Sequence, residues 1–167
     1  MDAPTNRRPL IAAGLLLGVG LGGFIDGIVL HQIAHWHQML SAVVPPDSMQ
    51  AMQRNMVADG WFHLATWIIT LVGVLILRSA VRGAGPIPTA RGFIAYMLIG
   101  WGTFNLVEGI VDHHILGLHH VKEGAANPLL WDVGFLALGM ALVLIGVALA
   151  RPPGRQTASA RSVRRAA

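Results

Sequence analysis

Four long apolar runs divide this chain, and each is long enough to cross a membrane as a helix. They cover about residues 10–30, 59–78, 91–112 and 129–150. At 1.5 Å per residue, about 20 helical residues span the roughly 30 Å hydrocarbon core of a bilayer. The pattern therefore predicts an all-α protein, a bundle of four transmembrane helices.

Proline and glycine mark where these runs end. Pro9 opens the first run, and Pro45-Pro46 stops the helical pattern that continues beyond it. The first run is too long for the apolar part of a cleaved signal peptide, which favours a retained helix. The stretch from Gly83 to Pro88 is typical of a short loop. We expect a cytoplasmic N-terminal segment at residues 1–8, a membrane domain at 9–150 and a disordered, basic cytoplasmic tail at 151–167.

The ends of the first and third runs carry nearly the same sequence. Aligning Asp26 with Glu108, an offset of 82 residues, matches acid, glycine and histidine positions together. The other matched pairs are Gly27/Gly109, Ile28/Ile110, Val29/Val111, His31/His113, Ile33/Ile115 and His37/His119. Apolar repeats arise easily in membrane helices, but a repeat that includes ionisable residues is much harder to obtain by chance. We therefore expect two tandem helical hairpins related by a pseudo-two-fold axis along the membrane normal.

Charge is scarce, and its placement predicts an orientation in the membrane. Only 12% of the 167 residues are charged, against roughly a quarter in soluble proteins. Basic residues collect before Pro9, between Arg78 and Arg91, and from Arg151 onwards. They form no basic stripe interleaved with aromatic residues, so we expect no nucleic-acid partner. The positive-inside rule places both termini in the cytoplasm, with the lipid bilayer of a bacterial inner membrane as the main partner.

Each predicted helix carries one carboxylate at about the same depth. These four acids lie 17–19 residues from the arginine at the cytoplasmic end of their helix, or roughly 26–28 Å. They are Asp26, Asp59, Glu108 and Asp132. A carboxylate beside hydrocarbon is costly unless it faces the interior and is paired, protonated or metal-bound.

His31 and His113 lie roughly one turn further out than the acids, and His63 lies roughly one turn further in. We therefore predict a His/carboxylate metal site at the extracytoplasmic ends of the helices. Asp59 and His63, four residues apart, share one face of a helix. The predicted metal ligands are His31, Asp59, His63, Glu108, His113, Asp26 and Asp112. Accessory groups, which orient or tune the ligands, are predicted to be Asp132, His35, His37, His114, His119 and His120. The sequence indicates no particular catalytic residue.

One spacing does not fit a regular α-helix. His31 follows Asp26 by five residues, and His113 follows Glu108 by five. At 100° per residue, these histidines point roughly 140° away from their acids. Either the two helices distort near Gly27 and Gly109, or the histidines form a second site.

Other interpretations of the acids and histidines remain open. They could form a structural network of hydrogen bonds or a proton relay. Histidines near a membrane interface, such as His35 and His114, are often simply solvated. Met39, Met49, Met52 and Met56 fit amphipathic packing better than a thioether copper site.

The side-chain inventory narrows the choice of metal. The chain has no cysteine, which excludes disulfides, iron–sulfur clusters and structural thiolate zinc sites. Mixed imidazole and carboxylate ligation suits a transition metal, with iron or copper favoured and zinc an option. Haem between His31 and His113 fits less well, because a haem pocket needs no carboxylate on every helix.

Two resemblances follow from these motifs. The alternating histidines are loosely similar to the histidine boxes of membrane desaturases and hydroxylases, which lie on the cytoplasmic side of longer chains. The stretches from Gly23 to His37, from Asp59 to His63 and from Asn105 to His114 resemble a family of small bacterial predicted integral membrane proteins of unknown function. That resemblance covers about residues 10–150 and implies a four-helix membrane fold without implying an activity.

Three functions remain open from the sequence. The one we favour is a metal-dependent membrane oxidoreductase acting on an apolar or membrane-borne substrate that enters from the lipid. The second is a non-catalytic protein that handles copper or another metal for a membrane partner such as a respiratory protein. The third is a haem-binding electron-transfer protein.

Overall fold

Four α-helices and two π-helical segments make up the computed structural model, which describes residues 7–82 and 89–151. Helix α1 spans Arg8–Phe24 and continues directly into the first π-helical segment, Ile25–Ile33. Helix α2 spans Met49–Arg82, α3 spans Ala90–Glu108 and α4 spans Pro128–Ala150. The second π-helical segment, Gly109–Ile115, extends α3. The expectations for the loop at 83–88 and for most of the two terminal segments concern residues outside the described part.

The predicted all-α fold is confirmed, because the described residues form helices without strands. All four helices, counting the π-helical extensions of α1 and α3, are long and apolar enough to cross a membrane. Three of them start at side-chain caps. The Ser48 hydroxyl accepts a hydrogen bond from the Ala51 amide at the start of α2. The Thr89 hydroxyl accepts a hydrogen bond from the Gly92 amide, and the Asn127 side chain accepts one from the Leu130 amide ahead of α4.

Helices α1 and α3 form a central pair, and each carries one outer helix. Helix α2 packs on α1, α4 packs on α3, and in the described part of the chain the backbones of α2 and α4 do not approach each other. Glycine brings the central pair together. A Cβ on Gly18 would overlap the Met97 carbonyl oxygen, and one on Gly100 would overlap the Leu15 carbonyl oxygen. Close approach through small residues is a usual way to pack helices in lipid.

The outer faces of the helices are apolar. Many large hydrophobic side chains are exposed, among them Trp61 at 68% and Leu130 at 67%. The fully buried side chains of greatest volume are instead polar, and include His31 and His119. This arrangement is the reverse of a soluble protein and fits a helix assembly whose outside faces lipid.

Two loops, residues 34–48 and 116–127, meet at the end of the helices that carries the π-helical segments. The Ala42 amide donates to the Leu118 carbonyl at 2.9 Å, and the Glu123 amide donates to the Trp36 carbonyl at 2.9 Å. Asn55 of α2 is completely buried and holds the first loop through hydrogen bonds with the backbone of that loop. The loops therefore close this end of the molecule over the polar side chains.

Candidate metal centre

The π-helical segments align each acid with the histidine five residues later. The Ala34 amide donates to Val29 O at 2.8 Å, and the Leu116 amide donates to Val111 O at 2.8 Å, the i to i+5 pattern of a π-helix. His31 Nε2 therefore lies 3.0 Å from the Asp26 carboxylate. Of the two alternatives left open by the sequence, the structure has the distorted helix.

The same pairing occurs in the second repeat. His113 Nε2 lies 2.9 Å from Glu108 Oε1, at residue numbers 82 higher than the first pair. The π-helical turns of the two segments have the same hydrogen-bond pattern, and each lies shortly after a glycine, Gly27 or Gly109. The repeat in the sequence is thus a repeat of backbone geometry.

A tight reversal after each π-helical segment turns the chain back towards the centre. His35 has a φ of 51° and Gly117 has a φ of 58°, again at equivalent positions of the repeat. The Trp36 amide then donates to Leu30 O at 3.0 Å, and the Leu118 amide donates to Asp112 O at 2.8 Å. The result is that the next histidine of each repeat, two residues after the reversal, is buried in the centre.

Each of these two histidines is oriented by the other repeat. His37 Nδ1 donates to Val121 O at 2.8 Å, and His119 Nδ1 donates to Met39 O at 3.1 Å. A carbonyl oxygen can only accept, so both Nδ1 atoms carry the proton and both Nε2 atoms keep a free lone pair. The hydrogen bonds fix the tautomer that a metal site requires.

A carboxylate lies on the outer side of each of the other two histidines, and that of Asp59 forms a hydrogen bond with His31. His31 Nδ1 lies 3.0 Å from Asp59 Oδ1, and His113 Nδ1 lies 3.5 Å from Asp132 Oδ1. Asp59 also accepts the Met39 amide at 2.8 Å. Asp132 accepts an amide hydrogen bond as well, from the Val121 amide at 2.9 Å. A carboxylate on the outer nitrogen is the usual partner of a metal-binding imidazole.

Six side chains consequently form one buried cluster. The exposed fraction of each is 5% or less. They are Asp26, His31, His37, Glu108, His113 and His119. The rings of His37 and His119 stack at 4.5 Å, and His119 Nε2 lies 3.0 Å from Glu108 Oε1. The ligand atoms of two groups lie close enough to hold a metal ion, one made of His31, His37 and His119 and the other of Glu108, His113 and His119.

The surroundings keep His37 neutral. Burial, together with the nearby rings of His119 and His31, lowers the pKa of His37 to about 2. A neutral imidazole is the form that binds metal. The centre thus presents lone pairs inward on at least this ring without a competing proton.

The centre is rich in negative charge. Four buried carboxylates surround it, and within residues 7–82 and 89–151 their ion pairs are with histidines. Buried charge is expensive unless it is paired or bound to a metal. The site therefore suits a cation.

The structure brings together only part of the predicted ligand set. Asp26, His31, Glu108 and His113 face the centre, whereas Asp59 lies behind His31. His63 donates through Nδ1 to the Asp59 carbonyl at 2.8 Å and lies against Gly27, outside both groups. Asp112 is half-buried and also lies outside both groups.

The predicted accessory residues also separate. Asp132 lies behind His113, and His120 Nδ1 approaches the opposite oxygen of Asp132 at 2.6 Å. His35 and His114 are exposed. His37 and His119, which we expected to be accessory, reach the centre. The two histidines match each other in the sequence repeat, and this match indicated that they have equivalent positions in the site. Helical spacing alone did not indicate it.

Comparison with known proteins identifies the family but not an activity. No curated protein and no solved structure was found to match the chain. A family model described as "Predicted membrane protein (DUF2243)" matches residues 13–152, which include every residue of the candidate centre. The chain belongs to this family of predicted membrane proteins.

Proposed function

We propose that the protein is an integral membrane metalloprotein that holds a transition metal in its His/carboxylate centre and acts as a metal-dependent oxidoreductase. The observation that carries this proposal is the common orientation of four buried histidines. Three of them have the Nδ1 atom hydrogen-bonded to an outer acceptor, and the Nδ1 atom of His113 lies 3.5 Å from Asp132. All four direct the Nε2 atom towards Asp26 or Glu108. Mixed imidazole and carboxylate donors in a helix assembly are a known way to bind iron.

The inner atoms of the site need a cation between them. His119 Nε2 is an acceptor because its Nδ1 atom holds the proton, yet it lies 3.0 Å from the Glu108 carboxylate, which also accepts. Several inner atoms have no hydrogen-bond partner among the described residues, including His37 Nε2 and Asp26 Oδ2. Protons could neutralise one such pair, but four imidazolium rings with centroids 4.3–6.4 Å apart would repel one another. One or two metal ions would satisfy these lone pairs without that repulsion.

The geometry supports one or two ions. Each imidazole nitrogen has one lone pair, so His119 Nε2 can serve only one of the two groups at a time. With two ions, Asp26 or Glu108 would complete the second set. Iron or copper would supply the redox chemistry, and zinc would bind the same donors without it.

Burial of the donors favours an enzyme over a metal carrier. A protein that passes copper to a partner needs ligands that the partner can reach, whereas the exposed fraction of every inner donor is 5% or less. Haem also fits poorly. Contacts between the imidazole rings, such as the stacked pair at 4.5 Å, leave no flat gap for a porphyrin.

We further propose that the two hairpins are related by a pseudo-two-fold axis, with the centre on the extracytoplasmic side of a bacterial inner membrane. The equivalent contacts at an offset of 82 residues support the axis. Both ends of the chain and the connection between α2 and α3 are rich in arginine, which supports a cytoplasmic location for both termini. Single cysteines added to this cysteine-free chain, with an impermeant thiol reagent, test the orientation.

Elemental analysis of the detergent-purified protein tests the metal, together with electron paramagnetic resonance in the oxidised and reduced states. We expect about one or two equivalents of iron or copper per chain, lost in His119→Ala and retained in the control His114→Ala. Bound zinc would contradict the oxidoreductase and leave the metal site standing. Absence of metal after purification without chelators and attempted reconstitution would contradict both.

A further inference from the structure

An apolar cavity of about 440 Å³ lies beside the candidate metal centre and shares one residue with it. Helices α1, α3 and α4 line it, and the residue in common is Asp26. Its volume is in the range that holds small organic molecules. The cavity is therefore large enough to bring such a molecule next to the proposed metal.

The cavity opens towards the lipid. It lies between α1 and α4, whose backbones do not approach each other in the described part of the chain. Leu130 and Leu138 of α4 line it, and their exposed fractions are 67% and 49%. A molecule dissolved in the membrane could enter from this side without crossing water.

Aromatic rings form much of the wall. Trp36, Trp101, Trp131 and Phe135 line the cavity. Lys122 lies 4.8 Å from the ring centre of Trp36 and 4.7 Å from that of Trp131, so these two rings already have a cation on them. The rest of the aromatic cavity wall favours an uncharged occupant that contains a ring.

One polar group inside the cavity has no partner in the protein. The Asn105 side chain is 2% exposed and lines the cavity, and among residues 7–82 and 89–151 its amide has no hydrogen-bond partner. A buried amide without a partner is costly, and it suggests a bound molecule that supplies one. The equivalent position in the other repeat, at an offset of 82, is Gly23. Asn105 thus departs from the repeat at the cavity.

We propose that this cavity binds an uncharged, membrane-soluble aromatic molecule with a hydroxyl group, a phenol or hydroquinone, whose hydroxyl faces Asn105 and Asp26. A hydroxyl can accept from the Asn105 amide and donate to the Asp26 carboxylate, whereas a ketone lacks the donor and a carboxylate would be repelled. The role of such a molecule as a substrate rests on the proposed metal centre, but its binding does not.

Tryptophan fluorescence of the purified full-length protein in lipid nanodiscs measures the binding, because three of the five tryptophans line the cavity. The probes are decylhydroquinone and decylbenzene, which differ in the hydroxyl groups. We expect the hydroquinone to bind about threefold to tenfold more tightly, as one net hydrogen bond predicts. Asn105→Leu should abolish this difference.

Gly134→Leu blocks the cavity, since a Cβ at Gly134 meets no atom within 4 Å and the new side chain can occupy the open space. We expect it to weaken both probes by about tenfold or more, as overfilling a packed site does. Gly60→Leu is the matched control, because Gly60 is also exposed on an outer helix, with no atom within 4 Å of a Cβ and outside the cavity. It should leave binding unchanged.

Equal binding of the two probes, insensitive to Asn105→Leu, would overturn the proposal and identify a site for a lipid chain. Quenching that survives Gly134→Leu would overturn it as well, by placing the probes elsewhere. Metal content measured on the same samples separates this result from the metal proposal. His119→Ala protein that has lost its metal but still binds the hydroquinone would leave the cavity proposal intact.

Discussion

When the Nδ1 atom of a buried histidine faces a hydrogen-bond acceptor, Nδ1 carries the proton. The Nε2 atom then keeps a lone pair that can bind a metal. In this protein Asp59 holds His31 in that way, and Asp59 is itself held by the Met39 amide and Gln32. The site thus depends on residues that need not contact the metal. This outer layer provides the most selective test at the scale of single residues.

Asp59→Asn should lower metal affinity by about 10-fold to 100-fold, because the neutral amide holds His31 less firmly and makes it a weaker donor. A competition titration with a chromophoric chelator measures this affinity. Asp47→Asn changes an exposed acid in the first loop and should have no effect. Equal affinity in the two variants would show that Asp59 has no orienting role.

The two backbone reversals should respond oppositely to substitution. Gly117→Ala places a Cβ at a φ of 58° and should destabilise the protein by about 1 kcal/mol. His35→Gly relieves the same conformation at a φ of 51° and should be neutral or stabilising. Unfolding in mixed detergent micelles measures both changes. Equal destabilisation by both would indicate that the His35 side chain contributes more than its backbone strain costs.

At the scale of elements, the π-helical segments set the register of the centre. Inserting one alanine after Ile28, whose side chain is 45% exposed, would separate Asp26 and His31 by six residues, which fits neither α-helical nor π-helical spacing, and would rotate His31 away from Asp26. We expect bound metal to be lost although every donor remains in the chain. Ile28→Ala keeps the length and should retain the metal. The metal content of the two purified variants tests this explanation, and metal retained after the insertion would contradict it.

Glycine at the contact between α1 and α3 sets the distance between the two repeats. Gly18→Ala should destabilise the protein by about 1–3 kcal/mol, because its Cβ overlaps the Met97 carbonyl. Gly60→Ala, on an open face of α2, should instead stabilise by about 0.5–1 kcal/mol through helix propensity. The unfolding midpoints of the two variants should shift in opposite directions, and a shift of the same sign would exclude the close contact.

At the scale of the whole molecule, a bound metal should stabilise the fold, since its donors come from both repeats. With free metal at about 1,000 times its dissociation constant, the gain is about 4 kcal/mol. Chelation should therefore lower the melting temperature measured by tryptophan fluorescence, and adding the metal back should restore it. The His119→Ala variant should melt at one temperature with or without chelator. A wild-type protein that behaves in the same way would contradict a metal held by both repeats.

The sequence predicted most of the helical architecture but not how the two loops close over the buried polar side chains. Apolar runs of about 20 residues were enough for four helices, and counting from Arg8 or Arg91 brought Asp26 and Glu108 to one level. Helical spacing could not place His37 or His119, because each lies beyond a π-helical turn and a reversal. The carbonyls that orient these two rings belong to the backbone, whose position no side-chain pattern encodes. The cavity that Asn105 lines likewise depends on how α1, α3 and α4 diverge, which the sequence pattern does not predict.

The exchange of carbonyls between the two loops has a consequence for the order in which the protein is made. His37 emerges from the ribosome well before Val121, its hydrogen-bond partner, and His119 emerges last of the four inner histidines. The first hairpin therefore reaches the membrane with only half of the centre, and no residue of that hairpin makes the hydrogen bond that orients the His37 ring. Metal capture would follow insertion of the second hairpin, so a loaded centre would report that translation and insertion had both been completed.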